Sequence, residues 1–149
     1  MIFRAARRVA LAILLLSILA PAGAQDVTDD GLSVDTPLTA EPGNPTRGRE
    51  IVRDASNATC LICHVLPIAE EPDPGDIGPP LMGVANRYSA GELRLRLMDP
   101  QRIDPESVMP GYYKTEGLYR VGAQFAGGTI YTAQEIEDVL AYLLTLTED

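Results

Sequence analysis

The chain has 149 residues, with 12 Lys and Arg against 21 Asp and Glu, a single histidine and two cysteines. That length suits one domain, and so acidic a chain is excluded from the usual nucleic-acid and anionic-membrane binders, whose affinity rests on clustered Lys and Arg. Two phenylalanines and no tryptophan leave the core short of aromatic bulk, a gap that a buried cofactor can fill in a small domain.

In chain order, Arg4, Arg7 and Arg8 precede an apolar run from Val9 to Ala20, and Ala22-Gly23-Ala24 follows. This is the pattern of a secretory signal peptide over residues 1–24, cleaved after Ala24. The apolar run is too short for the ~20 residues that span a bilayer, so no stable membrane anchor is expected. No cysteine near the cleavage site suggests a lipid anchor. Cleavage removes three arginines and leaves nine basic residues against 21 acidic ones, formally −12. Residues 25–45 are rich in Asp, Thr, Pro and Gly without periodicity. They are expected to form an extended or disordered arm, with a partner surface as the alternative resting place. The folded domain is expected over residues 46–149.

A short helix is expected over residues 46–55, with Thr46 as its N-cap. Residues 66–80 hold five prolines and two glycines and read as a surface loop. Ser89 and Glu92 form a capping box for a helix from Ala90 to about Met98, stopped by Asp99-Pro100. Another helical turn is expected at Asp104-Pro105-Glu106. Residues 118–131 combine β-prone pieces with Gly122, Gly127 and Gly128, which suggests a small β-hairpin. Thr132 and Glu135 form a second capping box. Ile136, Val139, Leu140, Leu143 and Leu144 then recur at helical spacing and predict an amphipathic helix to about Leu146.

The chemistry concentrates at Cys60-Leu61-Ile62-Cys63-His64. Two thiols three positions apart can reach the two vinyl groups of one porphyrin, and the next residue brings an imidazole to the iron. The motif therefore predicts one covalently attached haem c. A closed zinc site needs a fourth ligand. A redox pair leaves the adjacent histidine unexplained, and a disulfide across two residues is strained. With no second histidine, the other axial ligand is expected from Met82, Met98 or Met109. Met82 lies close to the attachment turn, and Met98 falls late on a predicted helix where a core role is ordinary. Met109, 45 residues beyond His64, has chain enough to reach the far face, so His64 and Met109 are the expected metal ligands. Gly78-Pro79-Pro80-Leu81 offers a fixed carbonyl for the histidine's other ring N–H. Arg87, Tyr88, Tyr112, Tyr113 and Lys114 are candidates to meet haem propionates or the methionine sulfur.

These residues resemble class I c-type cytochromes: Gly48 in the first helix, the Cys60–His64 motif, Gly78-Pro79-Pro80-Leu81, Met109-Pro110 and Asp138–Leu143 in the last helix. The resemblance implies an all-α fold around one haem, with the first and last helices crossing at Gly48, Tyr142 packed across them, and the carbonyl of Pro79 bonded to His64. A narrower resemblance, over roughly Thr59 to Leu146, is to the SoxX family of sulfur-oxidation cytochromes. It rests on Ile77–Leu81, Arg87-Tyr88, Glu92-Leu93-Arg94, Asp99-Pro100, Met109-Pro110, Tyr112-Tyr113-Lys114, Arg120-Val121 and Thr132–Val139. That family implies a periplasmic heterodimer with a SoxA haem subunit, which couples thiosulfate oxidatively to a cysteine of the SoxYZ carrier as an L-cysteine S-thiosulfotransferase. Electrons then leave to a periplasmic acceptor. In that scheme this chain transfers electrons and is not catalytic alone, since haem attachment leaves no free cysteine or histidine as nucleophile or base. A free-standing monohaem shuttle is the alternative.

Overall fold

The computed structural model describes residues 28, 30–57 and 59–148; the leader expected over residues 1–24 lies outside the described residues. Four α-helices occur among them: α1 (Pro45–Arg53), α2 (Val84–Arg87), α3 (Ala90–Met98) and α4 (Ala133–Leu143). Single 3-10 turns form at Cys60–Ile62, Pro100–Arg102 and Ala123–Phe125. The expected hairpin is absent, because residues 118–131 contain no strand. Their backbone instead passes through Arg120 and Gly127, both at positive φ, and the 3-10 turn Ala123–Phe125 between them.

The helix starts follow their caps. Both capping boxes form as expected, Ser89 with Glu92 on α3 and Thr132 with Glu135 on α4. The start of α1 differs. Its N-cap is Asn44, whose side chain accepts from the N–H groups of Thr46 and Arg47, and Pro45 takes the first helical position, where its missing N–H costs nothing. The turn expected at residues 104–106 is a hydrogen-bonded bend, Ser107 N–H to Asp104 C=O at 3.0 Å. The 3-10 turn lies earlier, started by Pro100.

α1 and α4 make the principal helix contact, and α3 packs on α4. A Cβ on Gly48 would fall 2.0 Å from the Asp138 carbonyl oxygen and 2.9 Å from Tyr142 Cβ, so only glycine lets these backbones pass so closely. Val52, Ile136, Val139, Leu140 and Leu143 are buried around this crossing. α4 is more than amphipathic: Glu137 and Asp138 are buried as well.

The reason is residues 34–44, which bend at 36 and 38–41 and are tied down as a strap rather than left as a loose arm. Val34 is fully buried, and its N–H donates to Gly91 C=O at 3.1 Å. Arg94 donates to Val34 C=O at 2.6 Å and forks onto both oxygens of Glu137 at 2.8 and 3.0 Å. Glu137 also accepts from Leu38 N–H at 2.9 Å. Asp138 accepts from Asn44 N–H at 2.7 Å, from Arg47 at 2.9 Å and from Gln134 at 3.1 Å. The strap lowers solvent access to α4, and α4 supplies the carboxylates that satisfy the strap's backbone. Composition alone suggested disorder because these partners lie far off in the chain, 60 positions from Val34 to Arg94 and 99 from Leu38 to Glu137. Among the described residues no helix is long and apolar enough to cross a membrane.

Candidate haem-binding site

The attachment turn grows directly out of α1. Thr59 Oγ1 donates to the carbonyl of Val52 at 2.5 Å and accepts from Leu61 N–H at 3.2 Å. This seats the 3-10 turn Cys60–Ile62, and the N–H groups of Cys63 and His64 both donate to Cys60 C=O at 3.1 and 2.9 Å. Cys60 is buried and Cys63 half-buried, and neither is in a disulfide. Burial pushes the Cys60 thiol up to about 12, so in the polypeptide alone it is protonated.

Residues 75–81 are stitched alongside. Gly75 N–H donates to Leu61 C=O at 2.8 Å, Gly78 N–H to Cys63 C=O at 2.8 Å, and Leu81 N–H to Val65 C=O at 2.9 Å. Within this stretch His64 Nδ1 lies 2.7 Å from the Pro79 carbonyl oxygen. A carbonyl only accepts, so Nδ1 carries the proton and Nε2 keeps its lone pair for a metal. A Cβ on Gly78 would fall 2.3 Å from His64 Cε1. The glycine therefore lets the backbone cross the imidazole face and hold it at a fixed angle.

His64, both cysteines, Pro79 and Met109 line one cavity of about 870 Å³, within the range of cofactor sites. Its walls are mainly apolar, with Leu93 and Leu97 from α3, Ile103, and Tyr112. Tyr112 stacks on Tyr131 with ring centroids 4.7 Å apart, and burial raises both phenols well above the ordinary tyrosine range. Volume, apolar walls, paired thiols and a pre-oriented imidazole all fit a haem. Among the described residues no cluster of three or more His, Cys, Asp or Glu is placed to hold a bare metal ion.

Met82 lines the cavity with Met109, whereas Met98 is buried in the core and does not reach it. Arg87 lines the cavity, and its guanidinium donates to the carbonyls of Pro80 at 2.8 Å and Met82 at 2.6 Å. It thereby stiffens the turn that presents Pro79. Tyr88 and Tyr112 are lining residues, but Tyr113 is not; it packs half-buried against the core. Lys114 also lies outside and pairs with Asp99 at 2.7 Å. Sequence reasoning passed over Arg96, which lines the cavity and stacks on the Tyr88 ring at 4.0 Å. The available signal was two arginines two apart on a capped helix, which must face different ways: Arg94 turns to Glu137 and Arg96 to the cavity.

A helical fold closed by an α1–α4 crossing, with a Cys-x-x-Cys-His turn feeding an apolar cavity, defines a c-type cytochrome. The cytochrome c family model matches residues 46–147, and the chain belongs to that family. A chain of the crystal structure of SoxXA from P. pantotrophus superposes with a TM-score of 0.67 at 38% identity, covering 78% of this chain and 90% of that one. Within the family this is accordingly a SoxX-type cytochrome, an electron-transfer protein with covalently bound haem c. A comparison with curated protein sequences gave no match.

Proposed function

We propose that this chain is the electron-transfer haem subunit of a SoxAX-type heterodimer, exported by the leader at residues 1–24 and working in the periplasm. The enzyme joins thiosulfate to a carrier cysteine: the thiol loses its proton, a sulfur–sulfur bond forms, and two electrons are released. The observation that carries this reading is the likeness to SoxXA over nine-tenths of the matched chain. The haem, when bound, supplies a one-electron iron couple.

The chain's own residues set that couple. Cys60 and Cys63 would hold the porphyrin through thioethers. His64 would offer Nε2 to the iron, and the Pro79 carbonyl fixes its tautomer and raises its basicity. Met109, which lines the same cavity, would offer its thioether sulfur as the iron's other protein ligand. Met82 is the poorer choice, because it lies three residues from Pro79 and its own carbonyl is held by Arg87, which ties its backbone to the histidine side. A neutral thioether and apolar walls would disfavour the extra positive charge of the oxidised iron and so raise the potential. Arg87 and Arg96 are the cations at hand for the propionates.

The test is to purify the chain together with a SoxA-type subunit, add thiosulfate and the SoxYZ carrier, and follow the visible haem bands. Reduction of this chain's haem that requires all three components is expected. A chain that purifies without a haem partner, or whose haem stays oxidised in the full mixture, would favour the free shuttle.

A further inference from the structure

α3 ends at Met98, and its C-cap Asp99 leads into the turn Pro100–Arg102. The turn is rigid: Pro100 fixes its first φ, and its carbonyl accepts from the N–H groups of Ile103 and Asp104, both at 3.0 Å. From this turn the half-buried Gln101 reaches across the loop that follows. Its Nε2 donates to the carbonyl of Ser107 at 3.0 Å and to the carbonyl of Met109 at 2.7 Å. Two carbonyl acceptors settle which end of the amide points there, since only the NH2 group has two hydrogens to give. Both are spent on the backbone that carries Met109.

Other bonds near Met109 do less. Ser107 Oγ accepts from Met109 N–H at 3.3 Å, and Ser107 N–H donates to Asp104 C=O. Both are internal to the loop and leave it able to swing as a unit. Beyond Met109 the chain is tied back to α3, with Tyr112 N–H donating to Leu97 C=O at 2.9 Å and Lys114 paired with Asp99. Gln101 supplies the matching tie before and at Met109, so the methionine hangs between two anchored points on one helix end.

We propose that Gln101 is a positioning residue that holds the Met109 sulfur at the haem iron by clamping the Ser107 and Met109 carbonyls. The proposal rests on the reading of Met109 as the axial ligand. A neutral thioether is a weak ligand, and its hold on the iron depends on the loop being in place beforehand, so that binding costs little ordering. Releasing the clamp lets an external ligand compete.

The test uses the haem-loaded protein in its oxidised form, with Gln101→Leu and the milder Gln101→Asn, whose amide is one methylene too short to reach both carbonyls. Imidazole affinity and the weak red absorption of the iron–thioether bond are measured, with Met109→Ala alongside. Loss of one to two hydrogen bonds should raise imidazole affinity about tenfold in Gln101→Leu and less in Gln101→Asn, with a weaker red band in both. Wild-type affinity and band in both variants overturn the proposal even if melting temperature falls, since that pattern marks a merely structural residue. A red band that survives in Met109→Ala instead overturns the ligand reading itself.

Discussion

The α4 region and the loop from Asp99 to Lys114 are both organised by polar side chains, yet at very different depths. Around α4, Arg94 and Glu137 are only 5% and 7% exposed, and both carboxylate oxygens of Glu137 accept from Arg94, one of them also from the strap N–H of Leu38. Around Met109 the equivalent ion pair, Lys114 with Asp99, is over 20% exposed on both sides, and a single glutamine amide spans the loop. A buried pair loses heavily when either partner goes, because the remaining charge cannot regain water. A half-exposed clamp loses little stability when broken. The first region therefore fixes the fold, while the second, which carries the proposed ligand Met109, would tune the iron's ligand field at small cost to folding. The haem turn joins them, seated on α1 by Thr59.

Changes around α4 should accordingly alter stability and leave the haem spectrum alone. The largest effect is expected from Glu137→Ala, which strands the Arg94 guanidinium and unties Leu38. It should cost about 3–5 kcal/mol, with new proteolytic cleavage near residues 34–40 and an unaltered spectrum in the protein that remains folded. A loss under about 1 kcal/mol, the scale of surface pairs, would erase the contrast between the regions. Asp138→Asn is the smaller perturbation, at about 1–2 kcal/mol once screening of the half-exposed Arg47 is allowed for. Burial alone would raise the Asp138 carboxyl, but Arg47, Asn44 N–H and Gln134 together hold it below the usual carboxylate range. A depressed carboxyl stabilises the fold above its unfolded value, about 3.9, and that contribution is lost as pH falls through the folded value. The gap between parent and variant in urea unfolding should therefore be full at pH 7 and close progressively below about pH 4. A gap that stays constant into acid would mean that the Asp138 charge contributes nothing.

The elements readable in the sequence were those whose signal is local. Ser89 with Glu92, Thr132 with Glu135, the stop at Asp99-Pro100 and the spacing of Cys60, Cys63 and His64 each lie within a few residues, and each formed as expected. Asn44 was missed in favour of Thr46, although Pro45 marks the first helical position and so points one residue back. Helix α2 has four residues, too few for a 3.6-residue period to register. The glycines at 122, 127 and 128 carry a hairpin's turn signal, but β-prone composition does not form strands without a paired neighbour. Adjacent tyrosines carry no local signal to tell them apart: Tyr112 lines the cavity and Tyr113 does not. The strap was beyond local reading altogether, because Arg94 meets Glu137 across 43 positions and Leu38 meets it across 99.

The sharpest check lies in the other region, at the weak red charge-transfer absorption of the oxidised protein, recorded for Met109→Ala and Met82→Ala side by side. Disappearance of the band in Met109→Ala, with a lowered reduction potential and nearly unchanged unfolding, is predicted, while Met82→Ala keeps it. A band that persists without Met109 and vanishes without Met82 would contradict the account, since the loop from Asp99 to Lys114 would then hold no ligand to the iron.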